Sequence, residues 1–481
     1  MRGVEDILRQ SPHDLEPEPA DFAGEQGARH WIPSRYNIRA IARDGRLVLW
    51  NTLHGSLSVF KAEQAPRVLE LLPRKGIQAP LEGLVQYLVE RGFLIRNGAN
   101  EFRQLQLLHG QQHYRSDCLH LILLASEDCN FRCRYCYEKY ERGTMYPRVR
   151  QGLKRLIEKR LPGLRELRAD WFGGEPLYGW KAIEELGPFF IEAAEKHGVS
   201  FSSEMTTNGY LLTPEVAGKL LAWKTQRFQI TLDGPPECHD QSRPTRNGQG
   251  TFQTILENLK SLARRQEDFA VLLRVNFDQS NHAQLDRLFE RFRREVGADS
   301  RFQFDFHPVG RWGGARDSEL AVCGADSADI AARLRAAAHE RGLHAETMGG
   351  SLSPGSRVCY AARPYSFVIG ASGKVMKCTL SLDSDERNVV GHLTPDGELV
   401  LDADKMGLWT EPAFEADPRC RQCVLLPGCQ GMSCPRSRIQ NQESPCLPER
   451  WHPKRRMLER LNTQSGMGRH TRVPIPMGGI D

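Results

Sequence analysis

Three cysteines lie within eight consecutive positions: Cys129, Cys133 and Cys136. A closed structural metal site takes four protein ligands, whereas three thiolates on one short loop leave one iron of an iron–sulfur cluster without a protein ligand. A substrate or cofactor can coordinate that iron. The alternative is a zinc knuckle whose fourth ligand lies elsewhere in the chain.

A glycine pair followed by a carboxylate is the second feature, in the run Gly173-Gly174-Glu175-Pro176 at the end of a predicted strand. Paired glycines let a ligand approach the backbone, and a carboxylate can accept hydrogen bonds from an ammonium group. Such a run also forms ordinary turns. Its position one strand after the three-cysteine loop indicates that the two features act together.

Two polar segments end later predicted strands, at 206–209 (TTNG) and 231–235 (TLDGP), and Arg243 follows them. Taken singly, each is also typical of a turn or a surface ion pair.

Seven more cysteines lie in the carboxyl-terminal part of the chain: Cys359, Cys378, Cys420, Cys423, Cys429, Cys434 and Cys446. Zinc ribbons are the alternative to iron–sulfur clusters here, but two four-ligand zinc sites need eight ligands. Cys323 is either an eighth ligand or a buried packing residue, and Cys118 and Cys238 are assigned to packing.

Together these motifs resemble those of the radical S-adenosylmethionine (SAM) enzymes, in which an aromatic residue precedes the last cysteine of C-x3-C-x2-C and GGEP, TNG and SLDGP segments follow. The later cysteines resemble the SPASM extension of these enzymes, although four residues, not three, separate Cys429 from Cys434. The resemblance implies that the open iron of a [4Fe-4S] cluster chelates SAM and passes one electron to its sulfonium, which releases a 5'-deoxyadenosyl radical.

The resemblance also implies roles for individual residues. Glu175 is expected on the SAM ammonium, Thr231 on the ribose and Arg243 on the carboxylate. The expected SAM-binding set is Tyr135, Gly173, Gly174, Glu175, Pro176, Asn208, Thr231 and Arg243, beside the cluster on Cys129, Cys133 and Cys136. Two auxiliary [4Fe-4S] clusters are expected, one on Cys420, Cys423, Cys429 and Cys446, and the other on Cys359, Cys378 and Cys434.

Alternating strands and helices from about residue 118 predict an α/β fold with a parallel sheet, and six strands fit a partial (β/α)6 barrel. Such barrels gather their chemistry at the carboxyl ends of the strands, where the three-cysteine loop falls. The predicted strands are Leu119–Ala125, Leu167–Phe172, Phe201–Thr206, Arg227–Leu232, Val271–Asn276 and Phe302–Phe306.

The predicted domains are a flexible arm at 1–30, a winged-helix-like domain at 31–115, the barrel at 116–315, a SPASM domain at 316–464 and a tail at 465–481. Within the second, two strands flank an Asp44-Gly45 turn and a helix starts near Pro80. This domain resembles the leader-binding winged helix of maturases of ribosomally made peptides, which take the leader as an added strand on a sheet edge. A packing domain or a DNA-binding winged helix is the alternative.

Charge and composition exclude several classes. Across 481 residues, 65 Lys and Arg against 60 Asp and Glu leave a net charge of only +5, so nucleic acid is not an expected partner. No apolar run approaches the ~20 residues of a membrane span and no secretory h-region opens the chain, so we expect a cytoplasmic protein. Thirteen cysteines in such a chain indicate metal or redox use in a reducing compartment.

The resemblance predicts a radical SAM/SPASM maturase that abstracts hydrogen from a ribosomally made precursor peptide and installs a thioether or carbon–carbon cross-link. An electron donor such as flavodoxin or ferredoxin is an expected partner. One alternative is an anaerobic sulfatase-maturating enzyme that forms formylglycine. That family carries an Asp directly after the cysteine of its Gly-x4-Cys element, where this chain has Thr379. The alternative from another class is a metal-stabilised winged-helix DNA-binding regulator.

Overall fold

The structure is a computed structural model that describes residues 29–140, 142–345, 353–382, 384–441, 446–447, 450, 453–454 and 457–458. The predicted arm lies outside the described residues except for positions 29 and 30, and the predicted tail lies outside them entirely. The described residues form two compact units, one reaching to Leu105 and the other beginning at Gln106.

The smaller unit contains two three-stranded antiparallel sheets, of strand order β2-β3-β4 and β5-β1-β6, and two short helices. Its elements are β1 (Arg29–Pro33), β2 (Asn37–Ile41), β3 (Leu47–Asn51), β4 (Ser56–Phe60), α1 (Ala65–Glu70), β5 (Ile77–Ala79), α2 (Gly83–Glu90) and β6 (Leu94–Arg96).

The predicted hairpin is confirmed as β2 and β3, and its turn needs glycine because Gly45 has φ +81°. Helix α2 begins at Gly83, later than the predicted start at Pro80, because the preceding residues are paired with β1 as strand β5. Leu49, Val68 and Leu88 are fully buried between the sheets and helices, so the unit has its own core.

The larger unit is built on six parallel strands in the order β12-β11-β10-β9-β8-β7. They confirm the six predicted strands, each with slightly different ends. Their bounds are β7 (Cys118–Ser126), β8 (Glu166–Gly173), β9 (Ser200–Thr207), β10 (Thr225–Thr231), β11 (Ala270–Phe277) and β12 (Phe302–Pro308).

Four further strands extend the sheet beyond β7: β13 (Ser366–Ile369), β14 (Lys374–Met376), β15 (Val389–Leu393) and β16 (Leu399–Leu401). Strand β13 pairs parallel with β7, and the other three follow antiparallel. The sequence analysis did not predict these strands, since two of them contain only three residues and Gly, Pro and Cys interrupt the segment. They attach the cysteine-rich region to the barrel sheet.

Helices cover the strands. They are α3 (Glu101–His113), α4 (Pro147–Arg160), α5 (Trp180–Lys196), α6 (Pro214–Ala222), α7 (Pro236–Ser242), α8 (Phe252–Ala263), α9 (Leu285–Glu295), α10 (Ser327–Glu340), α11 (Ala403–Thr410), α12 (Ala413–Ala416), α13 (Pro418–Arg421), α14 (Leu426–Cys429) and α15 (Pro435–Asn441). The predicted apolar stripe of α8, from Phe252 to Leu262, is buried, and each such side chain contributes about 1.5–3 kcal/mol. Within the described ranges, no helix has the length and apolarity of a membrane span.

Candidate functional site

The three-cysteine loop follows β7 at the carboxyl edge of the parallel sheet. None of its thiols forms a disulfide, and they lie near enough to one another for the charges of Cys133 and Cys136 to act on Cys129. Burial, followed by the charge of Glu175, raises the pKa of Cys129 well above its usual range. Burial also raises the pKa of Cys136 to about 12. Thiolates therefore form here only when a bound cation compensates their charge.

Both glycines of the GGEP run let the end of β8 lie against this loop. A Cβ on Gly173 would stand 2.0 Å from the carbonyl oxygen of Ser126, and one on Gly174 would stand 2.7 Å from that of Asp128. Gly173 also has φ +127°, a conformation that favours glycine. The backbone N–H of Glu175 donates to the Asp128 carbonyl at 3.0 Å.

We expect Gly173→Ala to lower the free energy of unfolding by about 2 kcal/mol or more, because the added methyl group meets backbone and the φ angle becomes strained. Urea unfolding of the purified protein measures this loss. Gly407→Ala is the control, since a Cβ at this position in α11 meets nothing within 4 Å. Equal stability of Gly173→Ala and the wild type would contradict the close approach of β8 to the loop.

Glu175 joins the ends of β8 and β9. Its carboxylate is fully buried and accepts from Leu177 N–H at 3.0 Å, from the Thr207 hydroxyl at 2.7 Å and from Asn208 N–H at 2.7 Å. Burial raises the pKa of Glu175, and its donors, led by Asn208 N–H, oppose the shift. The sequence analysis did not anticipate these three donors. A carboxylate has about four acceptor positions, so one is left for a ligand.

The other expected SAM-binding residues lie at the same edge. Asn208 is buried and donates from Nδ2 to the side-chain oxygen of Asn130, within the cysteine loop, at 2.8 Å. Thr231 is the last residue of β10, and Pro176 begins a buried 3-10 turn after β8. The structure therefore brings residues from three strand ends to the cysteine loop.

Arg243 is buried and its guanidinium donates from Nη1 to the Tyr135 hydroxyl at 2.6 Å. It also lies over the ring of Phe131, 5.8 Å from the centroid. The Tyr135 hydroxyl in turn donates to the carboxylate of Asp233 and accepts from Asn276 Nδ2 at 3.0 Å. The sequence analysis assigned no role to Asp233 or Asn276, although Asp233 lies within the TLDGP segment.

A cavity of about 70 Å³ opens beside this network. Tyr135 and Asn276 form part of its wall, together with Ser242, Asn281 and Val309. Most of the lining side chains are polar, so the cavity suits a polar ligand next to the cysteine loop.

Part of the chain is similar in sequence to known proteins. The family profile of the radical SAM superfamily matches residues 123–291, from within β7 to within α9. The chain contains a radical SAM domain. This radical SAM domain includes the cysteine loop, the GGEP run and Arg243, and it implies one [4Fe-4S] cluster and SAM.

Two curated relatives are similar in sequence to part of the chain. The radical SAM cyclopropyl synthase TigE of Paramaledivibacter caminithermalis is 24% identical over 294 residues, which cover 54% of this chain and 61% of the relative. A serine-type anaerobic sulfatase-maturating enzyme of Klebsiella aerogenes is 28% identical over 159 residues, which cover 32% of this chain and 39% of the relative. The chain thus spans less than two thirds of either relative.

A solved structure shows the fold over a longer range. Native anSMEcpe with bound AdoMet and Cp18Cys peptide superposes on 72% of this chain and 97% of its own, with a TM-score of 0.54 and 19% identity. The fold is therefore a mixed α/β radical SAM fold with a parallel sheet, which confirms the predicted fold class.

The residues of the radical SAM domain fit the cluster and SAM. Three thiols are neighbours, and two buried donors, Asn130 Nδ2 and Arg243 Nε, have no hydrogen-bond partner in the described part of the chain. Among the described residues, no three His, Cys, Asp or Glu side chains could hold a metal ion as they stand. A cluster is wider than one ion, so its thiolates stand further apart than the ligands of a single metal.

Outside the radical SAM domain, four of the seven later cysteines are neighbours at one place and two more are neighbours at another. Burial raises the pKa of Cys429 to about 12, and the charges of Cys423, Cys420 and Cys446 add to the shift. Elsewhere, the charge of Cys434 acts on Cys378, and Tyr360, which directly follows Cys359 in the sequence, lies near Cys378. The two auxiliary clusters and their ligand sets stay a prediction.

The remaining cysteines have other neighbours. Cys323 is buried in the hydrophobic core, and burial and the charges of Asp278 and Asp326 raise its pKa. Burial raises the pKa of Cys118 to about 11, and Cys238 donates to the side-chain oxygen of Gln284 at 3.3 Å. These contacts support the packing interpretation for all three.

Proposed function

We propose that this chain is a radical SAM maturase that abstracts hydrogen from a residue of a ribosomally made precursor peptide and installs a thioether or carbon–carbon cross-link. The observation that carries the proposal is that three neighbouring thiols lie with the buried Glu175 and Arg243 at the carboxyl edge of the sheet. A buried carboxylate and a buried guanidinium beside the three thiols match the ammonium and carboxylate groups that SAM would present.

In this proposal Cys129, Cys133 and Cys136 hold the SAM cluster, and Gly173 and Gly174 let Glu175 lie against the cysteine loop, where the SAM ammonium would bind. Glu175 accepts from that ammonium through its remaining lone pair, while Arg243 donates to the SAM carboxylate. The rest of the set is Tyr135, Pro176, Asn208 and Thr231. When bound, the cluster and SAM supply the hydrogen-abstracting chemistry, and the protein supplies orientation and the exclusion of water.

Auxiliary [4Fe-4S] clusters are part of the proposal. Cys420, Cys423, Cys429 and Cys446 would hold one closed cluster, and Cys359, Cys378 and Cys434 would hold a second cluster with one open or borrowed position. The core position of Cys323 supports three ligands, not four, for the second cluster. A small electron carrier such as flavodoxin or ferredoxin would supply the electrons.

The smaller unit is proposed to bind the leader of the precursor. Among the described strands, β2 and β4 each pair only with β3, so both are edges that could take an added strand. Exposed apolar side chains lie on these edges, Ile41 on β2 and Val59 on β4. An added strand would gain main-chain hydrogen bonds from the edge and specificity from such side chains.

The second candidate, a sulfatase-maturating enzyme, is favoured by the curated relatives of that name. The residue after Cys378 argues against it, because that position holds a buried Thr379 whose hydroxyl pairs with the Tyr360 hydroxyl at 2.9 Å. No carboxylate stands there to act as a base. A DNA-binding regulator is disfavoured by the net charge of +5, and a salt-dependent DNA-binding assay tests it.

The test uses full-length protein, reconstituted anaerobically with iron and sulfide and supplied with SAM, dithionite and a peptide. The peptide is either a precursor encoded beside this chain or a sulfatase peptide containing Cys or Ser. We expect 5'-deoxyadenosine together with the loss of two hydrogen atoms from the precursor. Formylglycine in the sulfatase peptide, with an unchanged precursor, would show that the chain is a sulfatase-maturating enzyme and not a maturase of ribosomally made peptides. Absence of 5'-deoxyadenosine with either peptide would refute both.

A further inference from the structure

Asp233 is a fully buried carboxylate just beyond the end of β10. Its two oxygens have separate partners. Oδ1 accepts from Asn276 N–H at 2.8 Å and from Asn276 Nδ2 at 3.1 Å. Oδ2 accepts from the Tyr135 hydroxyl and lies 3.9 Å from Arg243 Nη1. One oxygen thus holds the carboxylate against β11. The other faces the Tyr135 hydroxyl and the Arg243 guanidinium of the candidate SAM site.

The charges in this network depend on one another. A buried guanidinium or carboxylate is costly alone and tolerable when it is paired and hydrogen-bonded. Asp233 supplies the negative charge beside Arg243, and the Tyr135 hydroxyl bridges them by accepting from Arg243 and donating to Asp233. Removing the carboxylate therefore leaves Arg243 without its neighbouring counter-charge and the tyrosine without its acceptor.

Arg243 is held at one end only. Nη1 is engaged by Tyr135, whereas Nε is buried and has no hydrogen-bond partner among the described residues. Its charge acts on both Cys133 and Glu175, so the guanidinium lies in the same site as the cysteine loop and the GGEP carboxylate. The unpartnered Nε is a donor that an anionic ligand group can use.

We propose that Asp233 is a positioning residue that holds Tyr135 and Arg243 in the orientation in which the Nε edge of Arg243 receives the carboxylate of SAM. The inference rests on the proposed function. It adds Asp233 to the site as a residue that contacts neither the three cysteine sulfurs nor SAM itself. Asp233 acts through Arg243, and Asn276 fixes the carboxylate from the opposite side.

A second, partly buried carboxylate in the same segment provides a matched control. Asp240 accepts through one oxygen from Thr251 N–H at 2.7 Å and from Phe252 N–H at 2.8 Å, at the start of α8. Its role is to satisfy the first N–H groups of a helix. Asp240→Asn keeps that oxygen and should leave SAM binding unchanged.

The experiment measures SAM affinity by calorimetry on full-length protein with reconstituted clusters. Asp233→Asn keeps the oxygen that faces Asn276 and replaces the one that faces Tyr135 by an amide NH2 group, which cannot accept a hydrogen bond. We expect the Kd for SAM to rise about tenfold or more, which is the loss of one charge-assisted contact. Iron and sulfide content and the EPR spectrum of the reduced protein without SAM should match the wild type, because a positioning role leaves cluster assembly intact.

Tyr135→Phe provides a second measurement if Asp233→Asn does not fold. It removes only the bridging hydroxyl, and we expect SAM affinity to fall about three- to tenfold. If Asp233 acts through this hydroxyl and Arg243, the effects of Asp233→Asn and Tyr135→Phe are less than additive in the double variant.

Wild-type SAM affinity in folded Asp233→Asn, wild-type affinity in Tyr135→Phe, or full additivity would each overturn the inference while leaving the proposed function intact. An equal loss of affinity in Asp240→Asn would show that the effect is general destabilisation, which also overturns it. Absence of SAM binding by the wild-type protein would refute the proposed function and, with it, the role of Asp233.

Discussion

Replacing Cys129, Cys133 and Cys136 together by Ala is expected to abolish 5'-deoxyadenosine production. These thiols are the converging group beside Glu175 and Arg243, and an iron held there is the one expected to bind SAM. The auxiliary clusters proposed above use other cysteines, so they should survive. Iron content should therefore fall from about three [4Fe-4S] clusters per chain to about two.

Iron and sulfide analysis and chromatography of the SAM products measure the two effects. Cys118→Ala is the control, because Cys118 belongs to none of the three cysteine sets and its pKa is governed by burial and Glu166. It should retain full iron content and activity. Unchanged 5'-deoxyadenosine production in the triple variant would show that the loop takes no part in SAM cleavage. Stoichiometric zinc with little iron would show that the cysteines hold zinc and not iron–sulfur clusters.

Removing the smaller unit is expected to separate peptide modification from SAM cleavage. A protein that begins at Asn100 keeps α3 and every cysteine of the three sets, so SAM cleavage should persist. Modification of the precursor should fall by a factor of about 10² or more, because a tethered leader raises the effective concentration of the core peptide near the site. Both products are scored on one precursor, for the full-length and the truncated protein.

The boundary of this truncation matters because of α3. His109 and Gln112 of α3 bond the side chain of Gln430, at 2.7 Å and 3.0 Å, and Gln430 follows Cys429 in a left-handed conformation with φ +49°. A second truncation that begins at residue 116 removes these partners and should lose iron from the later cysteines. Equal peptide modification by the full-length protein and the form beginning at Asn100 would show that the smaller unit does not recognise the leader.

Local sequence predicted the parallel sheet well, because strand and helix patterns alternate along the chain and strands such as β7 and β11 contain apolar runs. It also indicated the cysteine loop and the GGEP run, whose chemistry is carried by neighbouring residues. The three donors to Glu175 and the Tyr135–Asp233–Arg243 network could not be predicted this way. Tyr135 and Asp233 are 98 positions apart, and only the tertiary fold brings them into contact.

The same limit applies to β13, which is too short to recognise alone and is defined by its pairing with β7. Sequence patterns record what a residue does with its neighbours along the chain. Contacts between the ends of separate strands follow from sheet order and crossover geometry, which the pattern does not contain.

The most direct test of SAM binding at the three-cysteine loop is the EPR spectrum of the dithionite-reduced, reconstituted protein before and after SAM is added. The SAM is isotopically labelled at its amino nitrogen. We predict a changed cluster signal and a hyperfine coupling to the labelled nitrogen, since the iron at Cys129, Cys133 and Cys136 would have an open position for SAM. Both should be absent from the triple Ala variant. A cluster spectrum that is unchanged by saturating SAM and shows no coupling to the label would contradict the binding of SAM to a cluster on the three-cysteine loop.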